Sequence, residues 1–256
     1  MNKFVKITLI LFFTVFLYAG SSLALPYSGN PTSLQNALNN ITVAPSPTPG
    51  ASSVNVDANY LADSVDSYWH ITGTGGSVST VIIEIASYAE QNLFGVFYGD
   101  QYVQLFDGSA STGSQVTLSI TATGDVWVNH LDTGTDFAST SFGYYLDSRP
   151  ANTNSGLWHS DSSLNTDGED HMLAYQGTNT DTVQISPWAP GVWTNNEYVL
   201  AFEDLNGAIS SDHDFSDFVV MVESVNPIPE PATMLLLGSG LIGLAGLGRR
   251  KFFKKL

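Results

Sequence analysis

Short apolar runs alternate with polar turn residues over most of the chain, beginning near Val54. Residues 116–121 illustrate the pattern, because Val, Leu and Ile alternate there with Thr, Ser and Thr. This period of two is typical of a strand with one buried face and one wet face. The runs are rich in β-branched and aromatic residues, and Gly, Asp, Ser and Asn separate them. They predict strands at 67–72, 80–87, 94–98, 102–106, 116–121, 125–129, 142–146, 171–175, 197–204 and 215–223.

Many short strands without long helical patterns predict an all-β fold. The expected architecture is an antiparallel β-sandwich, jelly-roll-like in topology. A short helix is expected at 33–41. The roughly 200 residues between the two ends of the chain are enough for one hydrophobic core or for two packed sheets.

The N-terminus has the three parts of a secretion signal over residues 1–24. Lys3 and Lys6 precede an apolar stretch at 7–18, and small residues allow signal peptidase to cleave after Ala24. A retained membrane anchor is the alternative. The apolar stretch is, however, shorter than the roughly 20 residues that span a bilayer.

Proline-rich segments flank the predicted domain. Residues 25–53 are rich in Pro, Ser, Asn and Thr, a composition that predicts a flexible linker. Pro227, Pro229 and Pro231 are expected to end the domain, because proline continues neither a strand ladder nor a helix. The predicted β-domain therefore covers residues 54–226.

Residues 227–256 form a separate C-terminal module. The stretch 232–248 has no charged residue, and Arg249, Arg250 and Lys251 follow it. We expect one transmembrane helix here. The basic cluster then lies on the cytoplasmic side and the acidic domain lies outside.

Three features follow one another in this module: Pro229-Glu230-Pro231, the glycine-rich apolar stretch and the basic cluster. In this order they closely resemble the PEP-CTERM sorting signal of Gram-negative bacteria. The resemblance implies recognition by an exosortase, removal of the tail near the Pro-Glu-Pro motif, and delivery to the cell surface or an exopolysaccharide matrix. It also implies an association with biofilm. A permanent inner-membrane anchor is the alternative.

Charge is distributed unevenly along the chain. All 24 acidic residues lie between Asp57 and Glu230, where Arg149 is the only basic residue, so residues 25–230 carry a formal charge of −23. Such a surface repels nucleic acid, because nucleic-acid affinity depends on Lys and Arg. It suits an exported protein that repels its own copies, or one that binds cations. The absence of cysteine excludes disulfides and thiolate metal sites.

The densest group of acidic residues lies in a predicted hairpin loop near the end of the domain. Glu203 and Asp204 end one strand, and Asp212, Asp214 and Asp217 surround the start of the next. Residues opposite each other in a hairpin lie about 5 Å apart, so these carboxylates are expected to meet at one rim. Two interpretations stay open: a calcium site built from carboxylate oxygens, or solvated turn residues that cap the loop.

The same hairpin contains two short patterns, an aromatic-Glu-Asp run at 202–204 and an Asp-x-Asp-Phe-x-Asp run at 212–217. In these patterns it resembles the bacterial domain-of-unknown-function family 4114. The resemblance is good over 198–222 and extends over about 125–223. It implies an exported β-module.

Two other groups of residues are candidates for ligand binding. Trp188 and Trp193 lie near prolines in a predicted loop, where aromatic faces can stack on sugar rings. His159 and His171 have aspartates nearby, but they lack the close spacing of a zinc motif. The sequence contains no nucleophile elbow, phosphate-binding loop or dinucleotide fingerprint.

Together these patterns predict an exported, non-enzymatic protein of the cell surface or exopolysaccharide matrix. Its expected partners are the secretory machinery and an exosortase, with extracellular polysaccharide as a further candidate. Calcium is the candidate cofactor, and the inner membrane is the expected location before processing. A carbohydrate-binding module of the matrix is the alternative function, and a secreted hydrolase is the third.

Overall fold

The computed structural model describes residues 32–45, 51–74, 76–83, 91–149, 155–207 and 211–229. Within these ranges, no helix is both long enough and apolar enough to cross a membrane. The predicted signal peptide lies outside the described residues, and so do the predicted transmembrane stretch and the basic cluster after it.

Strands dominate the described part of the chain. Two short helices, α1 and α2, and one 3-10 turn accompany them, at Thr32–Ile41, Asp63–Asp66 and Ser162–Leu164. In chain order the strands are β1 Thr42–Ala44, β2 Tyr68–Ile71, β3 Ser77–Ile83, β4 Leu93–Tyr98, β5 Gln101–Phe106, β6 Gln115–Ile120, β7 Asp125–Val128, β8 Leu131–Asp136, β9 Ser141–Asp147, β10 Leu157–His159, β11 Met172–Gln176, β12 Thr182–Val183, β13 Gly191–Val192, β14 Glu197–Phe202, β15 Phe218–Glu223 and β16 Val225–Ile228.

The strands form three sheets. The largest sheet has seven strands in the order β11-β14-β15-β3-β6-β7-β8. A second sheet of six strands has the order β16-β2-β9-β4-β5, with β10 also paired to β9, and a small sheet has the order β1-β12-β13. Every strand pairing in the described residues is antiparallel. The prediction of an antiparallel all-β chain is thus confirmed.

One hydrophobic cluster takes its residues from both large sheets. Its aromatic rings pack closely: the centroids of Phe94 and Phe218 lie 5.0 Å apart, and Trp69 meets Tyr198 edge to face at 4.9 Å. Full burial of an apolar side chain of this size contributes roughly 1.5–3 kcal/mol. The apolar contacts of this cluster therefore hold the two sheets together.

A second cluster combines the other side chains of β14 and β15 with α1 and the small sheet. Leu34, Leu38 and Ile41 recur at helical spacing on one face of α1 and belong to this cluster. β14 and β15 contribute residues to both clusters in alternation. Burial on both faces explains why these two strands have nearly continuous apolar sequences, YVLAF and FVVMV.

Much of the segment predicted to be a flexible linker belongs to the fold. α1 is packed in the second cluster, and β1 pairs with β12. Farther along, the backbone N–H of Ser53 donates to the carboxylate of Asp181 at 2.7 Å. The composition of 25–53 predicted a linker because its apolar residues are few. Their spacing, rather than their number, decides whether they are buried.

The fold also continues past residue 226, where the sequence predicted its end. In β16, Pro227 lies opposite Trp69 of β2. β16 is an edge strand of the six-stranded sheet, and an edge strand tolerates proline because its outward N–H makes no ladder hydrogen bond. The expectation that Pro227 ends the strand ladder is therefore wrong.

Candidate metal centre

The acidic loop, residues 203–217, connects β14 to β15, the second and third strands of the seven-stranded sheet. Phe202 pairs with Phe218 as the last ladder pair of the hairpin. Glu203 and Asp204 follow the first strand directly, and Asp217 directly precedes the second. The closing ladder thus brings acids from both strand ends together, as the sequence predicted.

All five acids predicted from the sequence lie in two overlapping groups. Glu203, Asp204 and Asp217 form one group, and Glu203, Asp212 and Asp214 form the other. Within each group, one carboxylate oxygen from each residue lies within 4.8 Å of the others. Glu203 is the residue that the two groups share.

Glu203 lies in the protein interior, where a charged carboxylate is poorly stabilised. It is 2% exposed, and neither of its carboxylate oxygens has a hydrogen-bond partner among the described residues. Burial raises the pKa of Glu203 to about 7. The charges of Asp212 and Asp204 add to this effect, and the nearby side chains of Asp217 and Ser211 partly offset it. An ionised carboxylate that is buried without a cation or a hydrogen-bond donor beside it destabilises the folded state by about several kcal/mol. Without a cation, this group therefore tends to keep its proton.

Asp217 and Asp204 complete the more buried group. Burial raises the pKa of Asp217 to about 10, with further contributions from the charges of Glu203 and Asp204. Its Oδ2 accepts a hydrogen bond from the backbone N–H of Asp204 at 3.0 Å. Burial also raises the pKa of Asp204. Three carboxyl groups therefore meet where solvent screens their repulsion poorly.

Asn92, just before β4, is a neighbour of this group that sequence reasoning missed. Its Nδ2 donates to Oδ2 of Asp204 at 3.1 Å. The residue is buried, and its Oδ1 has no hydrogen-bond partner among the described residues. Asn92 is 112 positions away from Asp204 in the chain, and no local pattern marks it as a neighbour.

The second group is more accessible to solvent. Asp212 is exposed, and Asp214 is half-buried. Oδ1 of Asp214 accepts from the backbone N–H and the hydroxyl of Ser216, at 2.9 and 2.7 Å. This is the turn-capping contact that the alternative interpretation predicted, and it leaves Oδ2 of Asp214 without such a role.

The loop backbone is held in an uncommon conformation beside these acids. His213 and Phe215 have φ angles of 54° and 50°, in the left-handed region that bulky residues rarely adopt. The Phe215 side chain is buried in the second hydrophobic cluster. Its burial offsets the local strain and anchors the loop to the sheet.

A buried polar layer, formed by His171, Trp158 and Asp167, packs against the start of the loop. The carbonyl of Glu203 faces Nδ1 of His171 at 3.1 Å, and the carbonyl of Asp204 accepts from Nε1 of Trp158 at 2.8 Å. The rings of Trp158 and His171 stack at 3.8 Å. These contacts fix the backbone from which Glu203 and Asp204 project.

Asp167 closes this layer. Its Oδ2 lies 2.9 Å from Nε2 of His171 and also accepts from the backbone N–H of Gly207 at 3.1 Å. Burial by itself would raise the pKa of Asp167. The interaction with His171 and the hydrogen bonds from two backbone N–H groups outweigh burial, and the pKa is lowered to about 2. Both ring nitrogens of His171 therefore lie within hydrogen-bond distance of an oxygen.

The two histidines considered for zinc are not brought together. His171 uses both nitrogens in the contacts just described. His159 contacts the hydroxyl of Tyr102 at 3.0 Å and the side chain of Asn165. Among the described residues, neither acidic group includes a histidine.

Another set of buried carboxylates, missed by the sequence analysis, lies near α2. Both oxygens of Asp66 are buried without a hydrogen-bond partner in the described part of the chain. Burial raises the pKa of Asp66 well above its ordinary value, and the charges of Asp170 and Asp63 add to the effect. Burial likewise raises the pKa of Asp170 to about 7. These residues do not form a group as close as those around Glu203.

The two tryptophans proposed for glycan contact have different environments. Trp193 is 0% exposed and belongs to the second hydrophobic cluster, so it cannot stack on a sugar ring in this conformation. Trp188 is 44% exposed, and its Nε1 donates to the carbonyl of Gly113 at 2.8 Å. Only Trp188 of this pair is placed to meet a ligand at the surface.

Comparison with known families identifies two regions of the chain. Residues 137–225 match the family described as Domain of unknown function (DUF4114), and residues 227–251 match the PEP-CTERM protein-sorting motif. Both resemblances seen in the sequence are thereby confirmed. No curated protein and no solved structure matches the chain. The first region contains the whole acidic loop, and the second begins inside β16.

Proposed function

We propose that this chain is a non-enzymatic protein of the cell surface or exopolysaccharide matrix, whose acidic loop binds calcium outside the cell. The PEP-CTERM motif marks it as an exported protein that an exosortase sorts. Before processing, the inner membrane holds the protein by its C-terminal tail. Removal of the tail then releases the acidic domain to the surface or the matrix.

The proposed architecture of that domain is an antiparallel β-sandwich. Its support is the hydrophobic cluster to which both large sheets contribute. The jelly-roll-like strand connection stays a prediction. A domain with two hydrophobic clusters and no disulfide suits a structural role outside the cell, where a bound cation adds further stability.

The Glu203 carboxylate is the observation that carries the calcium proposal. It is buried, lacks hydrogen-bond partners among the described residues, and lies within ligand distance of four other acids. A divalent cation converts the repulsion between these groups into coordination. Calcium accepts six to eight oxygen ligands in flexible geometry, whereas magnesium requires a near-ideal octahedron of about 2.1 Å bonds. An irregular loop of carboxylates therefore favours calcium.

Thermal melting of the full-length chain in detergent tests the calcium site. Calcium at 100 times its Kd should stabilise the protein by about 2.7 kcal/mol relative to chelator. For a domain of this size the Tm then rises by roughly 5–11 °C. Glu203→Gln should abolish the rise, and magnesium should produce little of it.

Asp100→Asn is the matched control, because Asp100 is an exposed acid in the turn between β4 and β5, outside the acidic loop. This variant should keep the full calcium response. Equal Tm values of the wild-type chain in chelator and in calcium would refute the calcium site and leave the acids as solvated turn residues.

Sorting is tested separately in the native host. Replacement of Pro229, Glu230 and Pro231 by alanine should leave the tail attached and the protein in the membrane fraction. Immunoblotting of the membrane, surface and medium fractions measures this. A variant with the size and location of the wild type would contradict processing at the motif and favour a permanent anchor.

A carbohydrate-binding module is the second candidate, and the exposure of Trp188 favours it. Binding to a panel of polysaccharides, lost in Trp188→Ala with an unchanged Tm, would support this function. Trp193→Ala is unsuitable as a binding test, because truncating a buried tryptophan destabilises a protein by about 3–5 kcal/mol.

A further inference from the structure

We propose that the acidic loop binds two divalent cations, with the Glu203 carboxylate bridging them. The inference rests on the proposed calcium function and concerns the number and arrangement of the ions. One ion would be held by Glu203, Asp204 and Asp217, and the other by Glu203, Asp212 and Asp214. These are the two groups into which the loop divides its acids.

Distances between the carboxylates favour two positions over one. Calcium–oxygen bonds measure about 2.3–2.6 Å, so any two ligands of the same ion lie within roughly 5 Å of each other. Each group of three satisfies this limit, with its oxygens within 4.8 Å of one another. The five acids fall into two such groups and share only Glu203. A single ion in this loop conformation would therefore use one group and leave two acids without a cation.

The state of the shared residue points to a bridge. Oε1 and Oε2 of Glu203 are both buried and both without a hydrogen-bond partner in the described residues. An ion bound to one oxygen alone would leave the other buried and unsatisfied, which is unfavourable for a charged group. One ion chelated by both oxygens would satisfy Glu203 but leave the acids of the other group without a cation, whereas one oxygen on each ion serves both groups. Carboxylates bridge metal ions in this way in two-metal sites, where the ions lie about 3.5–4 Å apart.

Charge balance supports the same number of ions. Five ionised carboxylates carry −5, which one divalent ion reduces to −3 and two ions reduce to −1. Among the residues that the structure describes, Arg149 is the only Lys or Arg, and it pairs with Asp147 at 2.6 Å. Without the second ion, the remaining repulsion between the acids would persist.

The two positions differ in their surroundings, so the ions should bind in two steps. Glu203 and Asp204 are buried, and Nδ2 of Asn92 donates to Oδ2 of Asp204 beside the first position. Asp212 is exposed, and the second position is therefore open to water. We expect the first ion to bind tightly. The second should bind more weakly and with greater sensitivity to salt, because exposed charges are screened.

Direct counting of bound calcium tests the proposal. Equilibrium dialysis of the full-length chain in detergent, confirmed by native mass spectrometry, should give two calcium ions per chain. Asp217→Asn should retain one ion at the second position, and the double variant Asp212→Asn, Asp214→Asn should retain one at the first. Glu203→Gln should hold fewer than two, and the control Asp100→Asn should hold two. Melting in chelator identifies any variant that fails to fold.

The possible results separate the two proposals. One ion in the wild type, lost completely in either variant group, would overturn the two-ion centre while the calcium function stands. No bound ion would overturn both. Energy transfer between Tb³⁺ and Eu³⁺ on one chain gives a second readout, since it requires two neighbouring positions. Its absence in a chain that binds two ions would exclude the bridge.

Discussion

At the scale of single residues, the same burial that prepares the acidic loop for a cation destabilises it without one. Glu203 and Asp217 have raised pKa values because burial opposes ionisation and because they face other acids. Metal ligands must be deprotonated, so a bound cation releases protons from such groups. Substitution of one carboxylate should therefore raise the stability of the folded protein without calcium and lower it with calcium.

Asp217→Asn tests this reversal. The pKa of Asp217 is raised from 3.8 to about 10, so at pH 8 the folded state keeps a proton that the unfolded state loses. Removal of this carboxyl group should raise the Tm in chelator, by roughly 2–4 °C for each kcal/mol added to the free energy of unfolding. In calcium, the same variant should lose much of the stabilisation by the ion. Differential scanning calorimetry in both buffers measures the change, and a lower Tm in chelator would contradict it.

His171→Phe tests the polar layer below the loop. Phenylalanine can keep the ring stacking on Trp158, but it removes the hydrogen bonds to the Glu203 carbonyl and to Asp167. Leaving a buried hydrogen-bond partner unsatisfied is destabilising by about 1–3 kcal/mol. Urea unfolding should show a loss of this order with or without calcium. His70→Phe, at a half-buried position of β2, is the control and should change stability by about 0.5 kcal/mol or less.

At the scale of elements, α1 shows that a short helix in a polar segment can complete a fold. Its apolar residues face the second cluster, next to β14 and β15, the strands that carry the acidic loop. The helical spacing predicted the element, whereas the surface that it covers was not visible in the sequence. If α1 is structural, its buried face should be sensitive to truncation and its exposed face should not.

Leu38→Ala is the corresponding substitution, because Leu38 is fully buried in the second cluster. Truncation of a buried leucine leaves a cavity and lowers stability by about 2–5 kcal/mol. Asn40→Ala, on the exposed side of α1, should change it by about 0.5 kcal/mol or less. Denaturant unfolding of both variants measures the difference. Equal stability of the two would mean that residues 32–41 act as a linker after all.

At the scale of the whole molecule, pH and calcium should act together on stability. Burial raises the pKa of Glu203 and of Asp170 to about 7, above the 4.5 and 3.8 of free Glu and Asp. A group whose pKa is higher in the folded than in the unfolded protein contributes its full stabilisation at low pH. This stabilisation is lost as the pH rises through the folded-state pKa. Asp167 acts in the opposite direction. Its pKa of about 2 gives stability above 3.8 that is lost as pH falls towards 2.

In chelator, we therefore expect the Tm to be highest near pH 4–5 and to fall by several degrees between pH 5 and pH 8. Calcium should remove much of this fall, because it replaces protons in the acidic loop, and its affinity should rise with pH. Melting curves at several pH values, with and without calcium, measure both effects. A Tm in chelator that rises between pH 5 and pH 8 would contradict the assignment.

Much of the candidate site could be predicted from sequence, because a hairpin is a local structure. β14, β15 and the acids at their ends lie within 27 residues of one another, and Glu203 and Asp217 directly flank the last ladder pair, Phe202 and Phe218. Asn92 and the paired acids Asp66 and Asp170 could not be predicted in the same way. They meet their neighbours only because strands distant in the chain pair in one sheet or pack across the core.

The sequence alone determined the class of fold, the sorting motif near the C-terminal end and the group of acids in the loop. Periodicity, composition and short motifs express each of these within a few residues. Tertiary structure decided the rest: that Trp193 is buried and Trp188 exposed, that α1 covers a sheet face, and that Pro227 is tolerated at a sheet edge. It also decided that Glu203 has two buried, unpartnered oxygens between two groups of acids. The burial of a side chain and its hydrogen-bond partners depend on residues that are distant in the chain and pack against it. The local sequence does not encode these neighbours.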